Sequence, residues 1–177
     1  MRTLGIDPGT RRTGWGIVEA RGPALHCIAS GVCQAKESLP LAERLVHIHT
    51  ELCTVVTAHA PQQMAIEDIF YAKYASAALK LGHVRGVILL AAAQHALPVC
   101  SLPPALVKRA IAGRGAADKG QVARIVAAML RLKQLPAADA SDALAIALTA
   151  ARSHAFHAGA RGLAQRTSKG YGQRRAP

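Results

Sequence analysis

Near its start the chain reads Leu4-Gly5-Ile6-Asp7-Pro8-Gly9-Thr10, a short apolar run that ends in a carboxylate and turns at once. An extended pattern resumes at Thr13-Gly14-Trp15-Gly16-Ile17-Val18. Two such runs about a Pro-Gly turn predict a β-hairpin, with Asp7 at the inner end of its first strand. A carboxylate set beside Leu4 and Ile6 is costly to desolvate unless a cation or hydrogen-bond donors meet it. The remaining chain must bring something to Asp7.

Beyond the hairpin, short extended runs alternate with longer helical ones. Residues 24–33 alternate enough for a third strand, and a helix over 40–58 places Leu41, Leu45, Ile48, Leu52 and Val55 on one stripe. After Pro61, Gln63-Met64-Ala65-Ile66-Glu67 is a second short strand ending in an acid. Residues 70–74 form a loop or first turn, 76–95 a long Ala/Leu/Val helix, and 97–102 a fifth strand. Pro103-Pro104 opens a short helix, Gly113-Arg114-Gly115 makes a basic loop, and helices over 118–132 and 138–156 complete the domain. A hairpin, then strands alternating with helices, predicts an α/β domain: a mixed five-stranded sheet flanked by helices, antiparallel first and parallel at the crossovers. That pattern fits a ribonuclease H-like core over residues 1–157. Residues 158–177 hold five basic residues, no acid and four Gly, which predicts a disordered basic tail.

Charge narrows the function. Lys and Arg total 22 against 10 Asp and Glu, a formal charge of +12. Such an excess points to a polyanionic partner, nucleic acid above all, with a solvated basic surface as the plainer alternative. Cys27, Cys33, Cys53 and Cys100 lack the paired spacing of zinc sites or disulfide frameworks and read as thiols of a reducing compartment. The apolar run 84–98 is interrupted by Arg85, Gln94 and His95, so no membrane span is expected, and a polar hairpin within ten residues argues against a signal peptide. The expected location is the cytoplasm.

With only ten carboxylates in the chain, four stand at ends or faces of apolar segments: Asp7, Glu67, Asp139 and Asp142. If the strands ending in Asp7 and Glu67 are parallel neighbours, both acids leave the sheet at one edge. Asp139 and Asp142 are three apart and share a helix face. Converging carboxylates in a basic protein suit Mg²⁺ or Mn²⁺, and a pair of such ions about 4 Å apart serves phosphodiester hydrolysis. Each acid also has a plainer reading. Asp139 could cap the helix with Asp142 in a capping box, Glu67 could be an exposed strand end, and Asp7 a turn residue. Asp68, next to Glu67, faces the other way in a strand and is left out of the set.

The motifs Gly5-Ile6-Asp7-Pro8-Gly9-Thr10 and Thr13-Gly14-Trp15-Gly16 resemble, in order, those of the RuvC family of Holliday-junction resolvases. So do Ala65-Ile66-Glu67 leading to Phe70, Ala72-Lys73, Ala77-Ala78-Leu79-Lys80-Leu81-Gly82, Arg85-Gly86, Val107-Lys108, Lys119-Gly120-Gln121-Val122 and Asp139-Ala140-Ser141-Asp142-Ala143-Leu144-Ala145. The resemblance covers residues 1–156. It implies a homodimeric, Mg²⁺-dependent endonuclease of ribonuclease H-like fold, with two ions per active site and Mn²⁺ able to substitute. Such enzymes nick four-way DNA junctions symmetrically in recombination and repair, in partnership with the RuvA–RuvB branch-migration complex. It implies that Asp7, Glu67, Asp139 and Asp142 are the catalytic, metal-binding acids, although some members carry His where this chain has Asp139. Lys108 and Lys119 match basic active-site lysines, and Phe70 matches a base-contacting position.

Other residues fit that chemistry. Lys108 and Lys119 flank the Gly113-Arg114-Gly115 loop as a basic wall, with Arg109 and Arg114 as DNA-backbone clamps. Phe70, Tyr71 and Tyr74 are half of the chain's six aromatic residues; Phe70 is read as stacking on a base, with core packing as the alternative. Gly82 and Gly86 predict close packing of their helix, on the sheet or against a two-fold mate. A non-catalytic nucleic-acid module, an actin-like phosphotransferase and a small RNA-processing nuclease are the competing readings. The second would need two such domains, and the third would lack the late Asp-x-x-Asp pair.

Overall fold

The computed structural model describes residues 1–68, 75–113 and 118–153. Strands β1 (Arg2–Asp7), β2 (Arg12–Arg21) and β3 (Ala24–Gln34) form an antiparallel meander. Helix α1 (Leu41–His59) crosses to β4 (Gln63–Glu67), and α2 (Ala75–Gln94) crosses to β5 (Val99–Leu102). Helices α3 (Pro104–Ala112), α4 (Lys119–Met129) and α5 (Ala138–Arg152) complete the order. The sheet order is β3-β2-β1-β4-β5, with β4 parallel to both β1 and β5. This is the expected mixed five-stranded sheet flanked by helices.

Side-chain alternation along the strands divides the core into two halves. Leu4, Ile6, Ile17, Met64 and Ile66 point to one face, where Ile48, Leu52, Val84 and Ile88 of α1 and α2 cover them. Val18, Ala65 and Leu102 point to the other, beneath α3, α4 and α5. In β3 the alternation slips: Ile17 pairs with Ala29 but Val18 with Cys27, so Ile28 is the extra residue of a bulge and joins the α1/α2 side.

The expected boundaries shift for local reasons. β5 begins at Val99 because Ala96 takes a left-handed φ of 53° and the Leu97 N–H returns to the Ala92 carbonyl, finishing α2. α4 stops at Met129, and Arg131, also at φ 53°, turns the chain away. α5 is described to Arg152; the rest of its expected length and the expected tail lie outside the described residues. By length and composition alone α2 could cross a membrane. Its Val84, Ile88, Ala91 and Ala92 are instead buried against the sheet layer, and Arg85 is tied to the ends of β4 and β5.

Candidate active site

Register brings the first two acids together. Thr3, Leu4, Gly5 and Ile6 lie beside Gln63, Met64, Ala65 and Ile66, so one further step sets Asp7 beside Glu67. Strand parity then aims them. Asp7 shares its face with Gly5 and Glu67 with Ala65, while Ile6 and Ile66 point oppositely into the α1/α2 core. Both carboxylates therefore leave the sheet toward α5.

Small residues set how close α5 comes. A Cβ on Gly5 would fall 2.6 Å from the Ala147 nitrogen, and one on Gly16 2.7 Å from Leu144 Cδ2. On Gly14, which pairs with Asp7 across the hairpin, a Cβ would run into the backbone carbonyl of Asp139. Three glycines on one face thus seat the first turns of α5 on the sheet beside Asp7. The spacing Gly5, Gly14, Gly16 is visible in the sequence, but only the register between strands makes it a helix seat.

Asp7, Glu67 and Asp142 line one cavity of about 220 Å³, completed by Pro104, Val107, Lys108, Val122 and Ala145. Asp7 is the last residue of β1 rather than a turn residue; Thr13 staples the turn, its hydroxyl donating to the Gly9 carbonyl at 2.8 Å. Glu67 is half-buried at the cavity rather than a bare strand end. The capping-box alternative also falls, because Ala137 occupies the N-cap and Asp139 lies inside the first turn.

Asp139 itself is not among the cavity-lining residues. Its Oδ2 accepts from Arg12 Nε at 2.5 Å across 127 positions of sequence. The expected set of four is thus three acids around the cavity and one held beside it. Lys108 lines the cavity. Lys119 opens α4 one turn before the cavity residue Val122. Its side chain, and Phe70, Tyr71, Tyr74 and Arg114, lie outside the described residues.

In the sequence Arg85 stands out as a break in an apolar run and as part of the Arg85-Gly86 motif, with no role assigned. In the fold its Nη1 donates to the Glu67 carbonyl at 3.0 Å, its Nη2 to Ser101 Oγ, and it stands 3.5 Å from Asp68. One guanidinium thus clamps the ends of β4 and β5 behind Glu67. The opposite facing of Asp68, expected from strand parity, is what puts it in reach. A lone Arg in an otherwise apolar helix is the signal that could have found this role.

The described lining acids supply hard oxygen donors, with no His or Cys beside them among the described residues, a donor set that fits Mg²⁺ or Mn²⁺ better than zinc. Among the described residues no three His, Cys, Asp or Glu side chains form a ready-made metal cage. None of the four cysteines lines the cavity. All four are free; burial pushes the Cys33 thiol up to about 12 and Cys100 up to about 11.

Comparison with known proteins agrees with this architecture. A sequence model of the family described as crossover junction endodeoxyribonuclease RuvC matches residues 3–150. The RuvC of Sorangium cellulosum (strain So ce56) is 52% identical over 149 residues, 84% of this chain and 83% of that protein. The RuvC of Rhodopseudomonas palustris (strain TIE-1) is 48% identical over 160 residues, covering 90% of each. The structure of T. thermophilus RuvC in complex with Holliday junction substrate superposes with a TM-score of 0.80 at 36% identity, covering 91% of this chain and 96% of that one. The chain belongs to the RuvC family of crossover junction endodeoxyribonucleases.

Proposed function

We propose that this protein resolves four-way DNA junctions by paired, symmetric hydrolysis of phosphodiester bonds, in recombination and DNA repair. The observation that carries the reading is the cavity where Asp7, Glu67 and Asp142, from three separate elements, meet Lys108 in a chain of charge +12.

Asp7, Glu67 and Asp142 would hold divalent Mg²⁺, two ions per site, with Mn²⁺ able to substitute and Asp139 as a fourth ligand. When bound, the ions supply Lewis acidity for the entering water and the leaving oxygen. Lys108, with Lys119 from the start of α4, meets the negative charge that grows on the phosphate as water adds and the P–O bond breaks. Rigid strand ends hold Asp7 and Glu67, and Arg85 fixes the second of them, so little reorganisation is left for the reaction. Arg109, exposed on α3, and Arg114 would position the backbone, and Phe70 would stack on a base near the cut.

A junction with two-fold pseudo-symmetry calls for two such sites, hence a homodimer. Helix α2 supports one. Leu79, Gly82, Gly86, Leu89 and Leu90 fall on the side opposite its buried stripe; Leu79 is 64% and Leu90 53% exposed. The RuvA–RuvB complex is the expected partner in handing over junctions, and the bacterial cytoplasm the expected location.

Incubating the protein with a labelled four-way junction, in Mg²⁺ or in chelator, tests the chemistry. Paired nicks in Mg²⁺ and none in chelator are expected, with Asp7→Asn retaining binding and losing cleavage. Unchanged nicking in chelator would refute the reading.

A further inference from the structure

The pairing of Asp139 with Arg12 lies at a boundary. On one side is the acid cavity, which Asp139 does not line. On the other is a groove of about 410 Å³ between the β1–β2 turn and α2, lined by Gly9, Arg11, Arg12, Ala77 and Lys80 among others. Of its three cations, Arg11 is paired with Glu37 and Arg12 with Asp139. Lys80 is exposed and has no ion-pair partner among the described residues.

The groove has the dimensions and charge for a backbone phosphate. Its glycine turn and Ala77 leave room, and guanidinium groups bind phosphate through paired N–H donors. The Arg12–Asp139 pair is partly exposed, at 47% and 29%, and exposed pairs are weak enough for a phosphate to displace. Asp139 sits on the first turn of α5, one turn from the cavity residue Asp142.

We infer that Arg12 is a positioning residue that holds Asp139 aside from the metal cavity until a DNA phosphate in the adjoining groove takes the guanidinium. The acid set is then complete only on substrate, which keeps the enzyme less loaded with metal while no junction is bound. This rests on reading Asp139 as a metal-site acid.

The test is Mn²⁺ titration of the full-length, DNA-free protein, read from the electron paramagnetic resonance signal of the free ion. The proteins compared are wild type, Arg12→Ala, Arg12→Lys, Asp139→Asn and the Arg12→Ala/Asp139→Asn double variant, each checked for fold by circular dichroism. Arg12→Ala should bind Mn²⁺ roughly two- to fivefold more tightly than wild type. Arg12→Lys, which can still pair, should stay near wild type, as should Asp139→Asn. The double variant should lose the gain, since removing a nearby positive charge would by itself leave it in place. On a four-way junction, the Mn²⁺ concentration giving half-maximal cleavage should differ little between wild type and Arg12→Ala. Junction binding by Arg12→Ala in chelator should show a shallower salt dependence, by about one unit of slope. Unchanged Mn²⁺ affinity in folded Arg12→Ala, or a gain that survives in the double variant, would overturn the inference. If Asp139→Asn alters neither Mn²⁺ affinity in the Arg12→Ala background nor junction cleavage, the metal role of Asp139 falls with it.

Discussion

Helices α2 and α5 are both built mainly from Ala, Leu and other small or aliphatic residues, and they end in opposite situations. In α5 Ala140 and Ser141 and every residue from Ala143 to Ala150 are buried. The helix is clasped between the glycine face of β1 and β2 and helices α3 and α4. In α2 only the stripe Val84, Ile88, Ala91, Ala92 is buried, while Cβ atoms on Gly82 or Gly86 would meet nothing within 4 Å. Small residues therefore mean contact in one helix and vacancy in the other. What separates them is the opposing surface, because close approach needs small residues on both sides. Gly5, Gly14 and Gly16 provide them for α5; among the described residues nothing provides them for the outer face of α2.

The strongest way to break that contrast is at the α5 seat. Gly14→Val places a branched side chain where the Asp139 carbonyl lies, and the first turn of α5 must lift. Overpacking of this kind costs about 1–3 kcal/mol. Displacing Asp142 by even an ångström should lower junction cleavage roughly a hundredfold. Thermal unfolding and single-turnover cleavage would measure both. A Gly14→Val protein with native Tm and native cleavage would show that α5 is not seated on that glycine.

Much of this arrangement is legible in the sequence, and the gaps have a physical pattern. Two strands of one type, each ending in an acid, already suggest paired carboxylates at one sheet edge if the strands are parallel neighbours, as they are. Strand alternation excludes Asp68. Periodicity, however, gives only the face a residue occupies, while its partner decides where the side chain goes. Asp139 shares a helix face with Asp142, yet Arg12, distant in sequence and brought near by the hairpin, takes its carboxylate. Arg85 reads as an interruption because its partners, the ends of β4 and β5, meet only in the folded sheet. The glycines of α2 are expected to mark close packing on the sheet or on a two-fold mate. The sheet alternative is wrong, since the sheet side of the helix is carried by Val84 and Ile88.

A smaller effect should come from filling the vacancy on α2 with charge. Leu90→Arg leaves the buried stripe untouched, so the isolated subunit should unfold at its native temperature. Burying one leucine contributes about 1.5–3 kcal/mol, so its replacement by a cation should weaken self-association at least roughly tenfold. Sedimentation equilibrium would show a shift toward monomer, and paired nicks should give way to single ones. Unaltered association would overturn the proposal that a homodimer forms through this face of α2.

The finest comparison lies within α5, between neighbours. Asp142 faces the cavity, whereas Ser141 beside it is 1% exposed and its Oγ has no hydrogen-bond partner among the described residues. A buried hydroxyl without a partner costs free energy, and removing it is neutral or favourable when nothing else depended on it. Ser141→Ala should therefore keep cleavage within twofold of wild type and leave Tm unchanged or raise it by a few degrees; a 1 kcal/mol gain moves Tm by roughly 2–4 °C in domains of about this size. Asp142→Asn, one residue away and nearly isosteric, should retain the fold and lose cleavage. A Ser141→Ala protein that lost activity while keeping its Tm would show the hydroxyl acting in the site through a group that binds only with substrate, and the inner face of α5 would then be chemical as well as structural.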